Sequence, residues 1–191
     1  MRRTPRGWRL GLGAGALLLL VPFATMAAVS QAQGQTGASS TAARADTDGL
    51  ESTLVMLGYK LSSGITVVRD YGSGVPRIEA YPGELNQVWT NLIDNAIDAM
   101  AGAGTLRLAT RHEGDDVVVE VGDTGPGMPP EVAARAFEPF YTTKDVGEGT
   151  GLGLDIAQRI VAERHGGTIT IDSRPGQTVL RVRLPERPRR A

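Results

Sequence analysis

Apolar positions recur along the chain first at helical and then at alternating spacing. Leu50, Leu54, Leu57 and Leu61 stand three or four residues apart, which predicts a helix over 48–61. Ile65 to Arg69 is a short β-branched run ended by the turn-rich stretch 70–76, and predicts a strand. Pro82 then opens a helix predicted to run to Met100. On its wheel Leu85, Val88, Trp89, Leu92, Ala96 and Ala99 fall on one face, toward a core. Alternation predicts strands over 105–111 and 117–122, with 113–116 as their turn. Two more strands, 168–172 and 179–184, flank the turn 173–177. A short helix is predicted over 131–136 and a longer one over 152–165, closed by Gly166-Gly167. Residues 137–150 show no period and read as a long loop, a length at which loops often carry function. Helices over a mixed, mostly antiparallel sheet make an α+β layer architecture.

The first 47 residues show another pattern. Arg2, Arg3, Arg6 and Arg9 precede an uncharged run from Leu10 to about Ser30. A basic start, apolar middle and small polar exit describe a secretory signal peptide, and the run is also long enough for one membrane span. Residues 1–30 are therefore expected to be a signal-like or anchoring segment, with a membrane contact through 10–30. Residues 31–47 read as a flexible linker, too poor in apolar surface to order. The folded domain is expected over 48–186, and 187–191 as a basic tail.

Composition narrows the chemistry. Twenty Lys+Arg against 21 Asp+Glu give a net charge of −1, which argues against a broad nucleic-acid-binding surface. No cysteine is present, which excludes disulfides, thiol nucleophiles and Cys-ligated metals. The two histidines, His112 and His165, leave little room for His-based metal or triad chemistry. Glycine is unusually frequent, 25 in 191 residues, nearly double the common share of about 7%.

The polar residues concentrate in three places. Glu84, Asn91, Asn95 and Asp98 share one stripe of the helix 83–100. Asparagine prefers caps to helix interiors, so two at i, i+4 ask for a reason. A solvated face is one reason. A site is the other, because neutral amide oxygens suit Mg²⁺ held between phosphates and water. Asp123-Thr124-Gly125-Pro126-Gly127-Met128 stands at a strand end. Its glycines permit close backbone approach, and its Asp could accept a hydrogen bond from an exocyclic amine; a plain tight turn would look the same. Gly147-Glu148-Gly149-Thr150-Gly151-Leu152-Gly153-Leu154 leads into a helix, where free N–H groups and the dipole favour phosphate. No Gly-Lys-Ser/Thr ends it and no βαβ unit frames it, so neither the Walker nor the dinucleotide pattern applies.

Together these segments resemble the ATP-binding catalytic domain of sensor histidine kinases, within the GHKL (Bergerat-fold) ATPases. Asn91-Leu92-Ile93-Asp94-Asn95-Ala96 resembles the asparagine box, and Asp123-Thr124-Gly125-Pro126-Gly127 the first glycine box. Phe137-Glu138-Pro139-Phe140 with Tyr141-Thr142-Thr143-Lys144 resembles the phenylalanine box, and Gly149-Thr150-Gly151-Leu152-Gly153-Leu154 the second glycine box. All four come in family order across about 48–185.

The resemblance implies a two-layer α/β sandwich, a mixed sheet with helices on one face, and an ATP lid over 137–150. It implies ATP as substrate and Mg²⁺ at Asn95, with Asn91 nearby. Asp123 would accept the adenine 6-amino proton, with Gly125 and Gly127 shaping the turn beneath the base. Gly149, Thr150, Gly151, Leu152 and Gly153 would meet the phosphates through backbone. Thr178 would support Asp123, Lys144 would bring a charge on the lid, and Asp98 would complete the site. Phe137 and Phe140 are expected to pack at the lid base. Hydrolysing relatives carry a Glu where this chain has Asn91, and Asn is no general base at neutral pH. Transfer to a protein histidine is therefore expected, catalysed by positioning and charge stabilisation. A nucleotide-binding regulatory module without kinase activity, or a GHKL ATPase, are the alternatives.

The dimerising hairpin with its acceptor histidine is not found in the sequence. His112 falls at a turn and His165 at a helix end, where a capping role explains it better. A histidine acceptor domain and a response regulator are expected in trans, and a monomer without the hairpin. The address conflicts: ATP is cytoplasmic, whereas arginines ahead of the apolar run put the downstream domain outside the cytoplasm. A start segment foreign to the domain would reconcile the two.

Overall fold

The computed structural model describes residues 41–44, 47–61, 64–144 and 149–187. The expected signal or anchor segment, most of the expected linker, residues 145–148 of the expected lid and the tail from 188 lie outside the described residues. Among the described residues no helix is long and apolar enough to cross a membrane.

The chain runs β1 (Thr41–Arg44), α1 (Thr47–Met56), β2 (Gly64–Tyr71), β3 (Arg77–Ala80), α2 (Pro82–Ala99), β4 (Ala103–Glu113), β5 (Asp116–Asp123), α3 (Pro130–Arg135), α4 (Gly153–Arg159), β6 (Thr168–Arg174) and β7 (Gln177–Pro185). A π-helical turn, Ile160–Arg164, continues α4. Five strands form one sheet in the order β2-β4-β5-β7-β6. Only β2 and β4 are parallel, because the connection between them passes through α2. The remaining neighbours pair antiparallel. β1 and β3 make a separate antiparallel pair.

Alternation sorts the sheet into two faces. Leu106 and Leu108, Val117, Val119 and Val121, and Leu180, Val182 and Leu184 point to the core. α2 buries Leu85, Val88, Trp89, Leu92, Ile93, Ala96 and Ile97 against them, and α1 adds Leu50 and Leu54. The other face is a charged lattice. Glu120 is 5% exposed there and receives Arg111 at 2.5 and 2.9 Å and Arg181 at 2.7 Å. The Arg111 hydrogen bond, aided by Arg181, outweighs burial and holds its carboxyl down to about 2. The expected α+β sandwich with helices on one face is therefore the observed fold.

Three local readings change. Ala99 is exposed, and Ile93 and Ile97 take the core positions instead, because α2 is covered from both the sheet and α1. Part of the stretch expected as linker is a strand: Thr41–Arg44 pairs residue by residue with Arg77–Ala80. Such pairing needs only backbone donors and acceptors, so a run of small residues suffices. His165 is more than a cap. It is 8% exposed, accepts the Tyr81 N–H through Nε2 at 3.1 Å, and bonds the Ile160 carbonyl through Nδ1 at 3.1 Å. Those two partners require a neutral ring with its proton on Nδ1. The histidine thus ties the end of the last helix to the start of α2.

Candidate functional site

α2, the ends of β5 and β7, and the start of α4 enclose one cleft of about 560 Å³. Asn91, Asn95, Asp98, Asp123, Gly127, Lys144, Gly149, Thr150, Gly151, Gly153 and Thr178 line it, eleven of the residues expected from sequence. Gly125 and Leu152, also expected, are not among the lining residues.

One end of the cleft is buried and hydrogen-bonded. Asp123 ends β5, 5% exposed, opposite Thr178 of β7. Burial pushes its carboxyl above the usual range, and the Gly125 N–H, donating to Oδ1 at 2.9 Å, partly offsets this. A Cβ on Gly125 would lie 2.8 Å from that same Oδ1 and 3.0 Å from the Ala99 carbonyl oxygen, so glycine fits the carboxylate closely. Gly127 has φ +80°, and a Cβ there would collide with the Arg174 carbonyl. The Thr178 hydroxyl bonds Ser173 Oγ at 2.8 Å, and Ser173 Oγ accepts the Met128 N–H at 2.8 Å. Thr178 thus braces the corner through Ser173, beside its strand partner Asp123. The result is a dry acceptor aimed at the cleft and held by its own loop.

The other end presents donors and charges. The Asn91 Nδ2 is buried without a hydrogen-bond partner. Gly153 stands over the asparagines: a Cβ on it would meet Asn91 at 3.7 Å and Asn95 Nδ2 at 3.8 Å. α4 starts there with no side-chain cap, and Ile156 N–H to Leu152 O is its first turn's bond. The N–H groups before it have no partner within the helix. Lys144 Nζ sits 2.6 Å from Asp98 Oδ2. Burial pushes the Asp98 carboxyl up, but Lys144 and Lys60 together bring it below the usual range.

The long loop between α3 and α4 is clasped at its base. The Phe140 N–H donates to the Gly151 carbonyl at 2.9 Å, with φ +64° at Phe140 and +65° at Gly151. A left-handed phenylalanine is strained, and here it turns the ring outward, 75% exposed. Phe137 packs against the core as expected, but Phe140 does not.

Sequence reading missed Lys60. Its Nζ lies 2.5 Å from Asp94 Oδ1 and 3.2 Å from Asp98 Oδ1, and it lines the cleft. No motif contains it, because it arrives from the turn after α1 through tertiary packing.

The residues fit a nucleotide with its metal. An unpartnered buried amide, neutral oxygens on Asn91 and Asn95, and uncapped backbone donors suit phosphate and a hard cation.

The sequence model of histidine kinase-, DNA gyrase B- and HSP90-like ATPases matches residues 80–188. The sensory histidine kinase/phosphatase NtrB of Rhodobacter capsulatus is 37% identical over 145 residues, covering 69% of this chain and 40% of that protein. The sensor kinase CckA of Brucella abortus is 38% identical over 155 residues, covering 73% of this chain and 16% of that one. The chain thus spans less than half the length of these curated relatives. Among solved structures, the catalytic domain of histidine kinase ThkA aligns with TM-score 0.67 and 31% identity, covering 74% of this chain and 92% of that domain. ThkA in complex with response regulator protein TrrA aligns with TM-score 0.64 and 27% identity, covering 74% of this chain and 40% of the other. By fold, cleft and kinship, the chain belongs to the histidine kinase-, DNA gyrase B- and HSP90-like ATPases, and its described part is an ATP-binding catalytic domain of the histidine-kinase type.

Proposed function

We propose that the domain binds Mg²⁺–ATP in this cleft and presents the γ-phosphate to a histidine of a phospho-acceptor domain. The observation that carries the reading is one cleft with a buried, proton-accepting Asp123 at one end and the unpartnered Asn91 amide at the other. Asp123 accepts from the adenine 6-amino group, which selects adenine. Gly125 and Gly127 let the loop close under the base. Asn95, seconded by Asn91, would hold Mg²⁺, which would offset the charge of the phosphates. Backbone from Gly149 to Gly153 cradles the phosphates, and Lys144 adds a positive charge from the loop.

Asn91 accepts no proton from a nucleophile, so the attacking imidazole must be nucleophilic by itself. The domain then contributes orientation and charge stabilisation. The acceptor domain and a response regulator are the partners in trans. The solved ThkA–TrrA complex supports a partner of the second kind. ATP supply argues for a cytoplasmic reaction.

The test is binding of a fluorescent ATP analogue to the full chain, with and without Mg²⁺, then addition of an isolated phospho-acceptor domain. Asp123→Ala should abolish binding, and Asn95→Ala should remove its Mg²⁺ dependence. Acid-labile phosphohistidine should form only with the parent. Binding that ignores both substitutions would remove the site assignment, and binding without phosphohistidine would leave a nucleotide-responsive module.

A further inference from the structure

Asp94 and Asp98 stand four residues apart on α2, on the same side of the helix as the cleft. Like charges at that spacing repel each other. They also lie beside Asn91 and Asn95, where the proposed ligand brings its phosphates. Two carboxylates on the rim of an anion site oppose its purpose, unless something offsets them.

Two lysines do so, from opposite directions. Lys60 comes from the turn after α1 and reaches both, at 2.5 Å from Asp94 and 3.2 Å from Asp98. Lys144 comes from the long loop and takes the second oxygen of Asp98, at 2.6 Å. The four groups alternate in sign, Asp94–Lys60–Asp98–Lys144, and sum to zero. The hydrogen bond to Asp94 raises the Lys60 ammonium above its usual value, against burial, so it stays charged. The two lysines differ in what they can give up. Lys144 has one carboxylate partner, and a phosphate oxygen can replace it. Lys60 has two on a rigid helix and keeps them when Lys144 leaves.

We propose that Lys60 is a positioning residue for the polyphosphate: it neutralises Asp94 and Asp98, so that the face of α2 bearing Asn91 and Asn95 admits an anion when Lys144 turns from Asp98 to the phosphates. This rests on the reading of the cleft as an ATP site. Without Lys60, a bound triphosphate would face Asp94 and an Asp98 that has just lost Lys144. The penalty grows with the charge of the ligand and shrinks with salt. An ion pair that merely fastened α1 to α2 would show neither behaviour.

The experiment is displacement of a fluorescent ATP analogue from the full chain by adenosine, ADP and ATP, with Mg²⁺ in excess. Lys60→Gln should weaken ATP about tenfold and ADP about threefold, and leave adenosine unchanged. Lys60→Arg should retain the parent affinities. Lys60→Gln with Asp94→Asn should return ATP to within about twofold of the parent, and higher salt should narrow the gap between parent and Lys60→Gln. Melting of each variant without nucleotide guards against loss of fold. Equal losses for all three ligands, or no loss for ATP, would overturn the role of Lys60. A parent that binds none of the three would overturn the ATP reading itself, and the inference with it.

Discussion

The two ends of the cleft are built on different principles. At the Asp123 end the carboxylate is 5% exposed, its loop donates to it, and a chain of hydroxyls from Thr178 through Ser173 to Met128 fixes the corner. At the Asn91 end the charges are about one-third exposed and paired with partners that can be exchanged. On the proposed reading, a neutral, flat base is selected by a buried acceptor held by its own loop. A highly charged tail is better met by charges that leave one partner for another, because fixed buried charges would have to be desolvated in advance. Preorganisation thus sits where specificity is needed, and exchange where charge must enter and leave.

Two glycines give the largest contrast. Gly127 has positive φ, and its Cβ would meet the backbone carbonyl of Arg174, which cannot swing aside. Gly149 faces Thr142 Oγ1 and the Lys144 side chain, which can. Gly127→Ala should destabilise the domain by about 3 kcal/mol, a fall in Tm of roughly 10 °C. Gly149→Ala should stay within about 1 kcal/mol of the parent. Thermal melts of the two variants check this, and equal shifts would mean the ends are equally rigid.

Legibility in the sequence divides along the same line. The strands, α2 and the glycine boxes are local patterns, and spacing exposes local patterns. The 3.6-residue period of α2 gave its apolar face, although Ile93 and Ile97 became visible as core only once α1 lay across the helix. β3 carries just Ile78 and Ala80 as buried residues, too few for an alternation to register. The ion chain was invisible for a different reason. Lys60 lies 34 residues from Asp94, and Lys144 lies 46 from Asp98, so only the fold brings them together. Phe140 was misjudged because its motif says nothing of a left-handed backbone.

Acidification should separate the ends next. Burial raises the Asp123 carboxyl, so in the fold it protonates at higher pH than an ordinary Asp. Its contribution to nucleotide-free stability therefore rises as pH falls through that raised value. Asp98 runs the other way: its lysines lower it, and its contribution is present above the unfolded value and lost as pH falls through the folded one. On the proposed reading, adenosine needs the ionised Asp123 and makes no phosphate contact. Its affinity should be flat above the raised value and fall by about tenfold per pH unit below it, while the Asp98–Lys144 pair persists. Asp123→Asn should bind weakly and show no such fall. A titration of adenosine affinity that keeps its slope in Asp123→Asn would assign the proton to another group.

The smallest effect comes from single hydroxyls. Ser173 Oγ serves two partners, accepting from the Met128 N–H and bonding Thr178 Oγ1. Ser173→Ala leaves both groups short of a partner in a half-buried corner, where water replaces them poorly. The expected loss is about 1–2 kcal/mol. Thr142 Oγ1 likewise accepts a backbone N–H, that of Lys144 at 3.1 Å, but at an exposed position. Water can take its place there, so Thr142→Ala should change stability by less than about 0.5 kcal/mol. Chemical denaturation measures both. Because Ser173 braces the loop that carries Asp123, adenosine affinity should also drop about threefold in Ser173→Ala and not in Thr142→Ala. A stability loss without the affinity loss would make the hydroxyl chain a structural brace only. Loss of both would show that the rigidity of this corner is what the base is bound by.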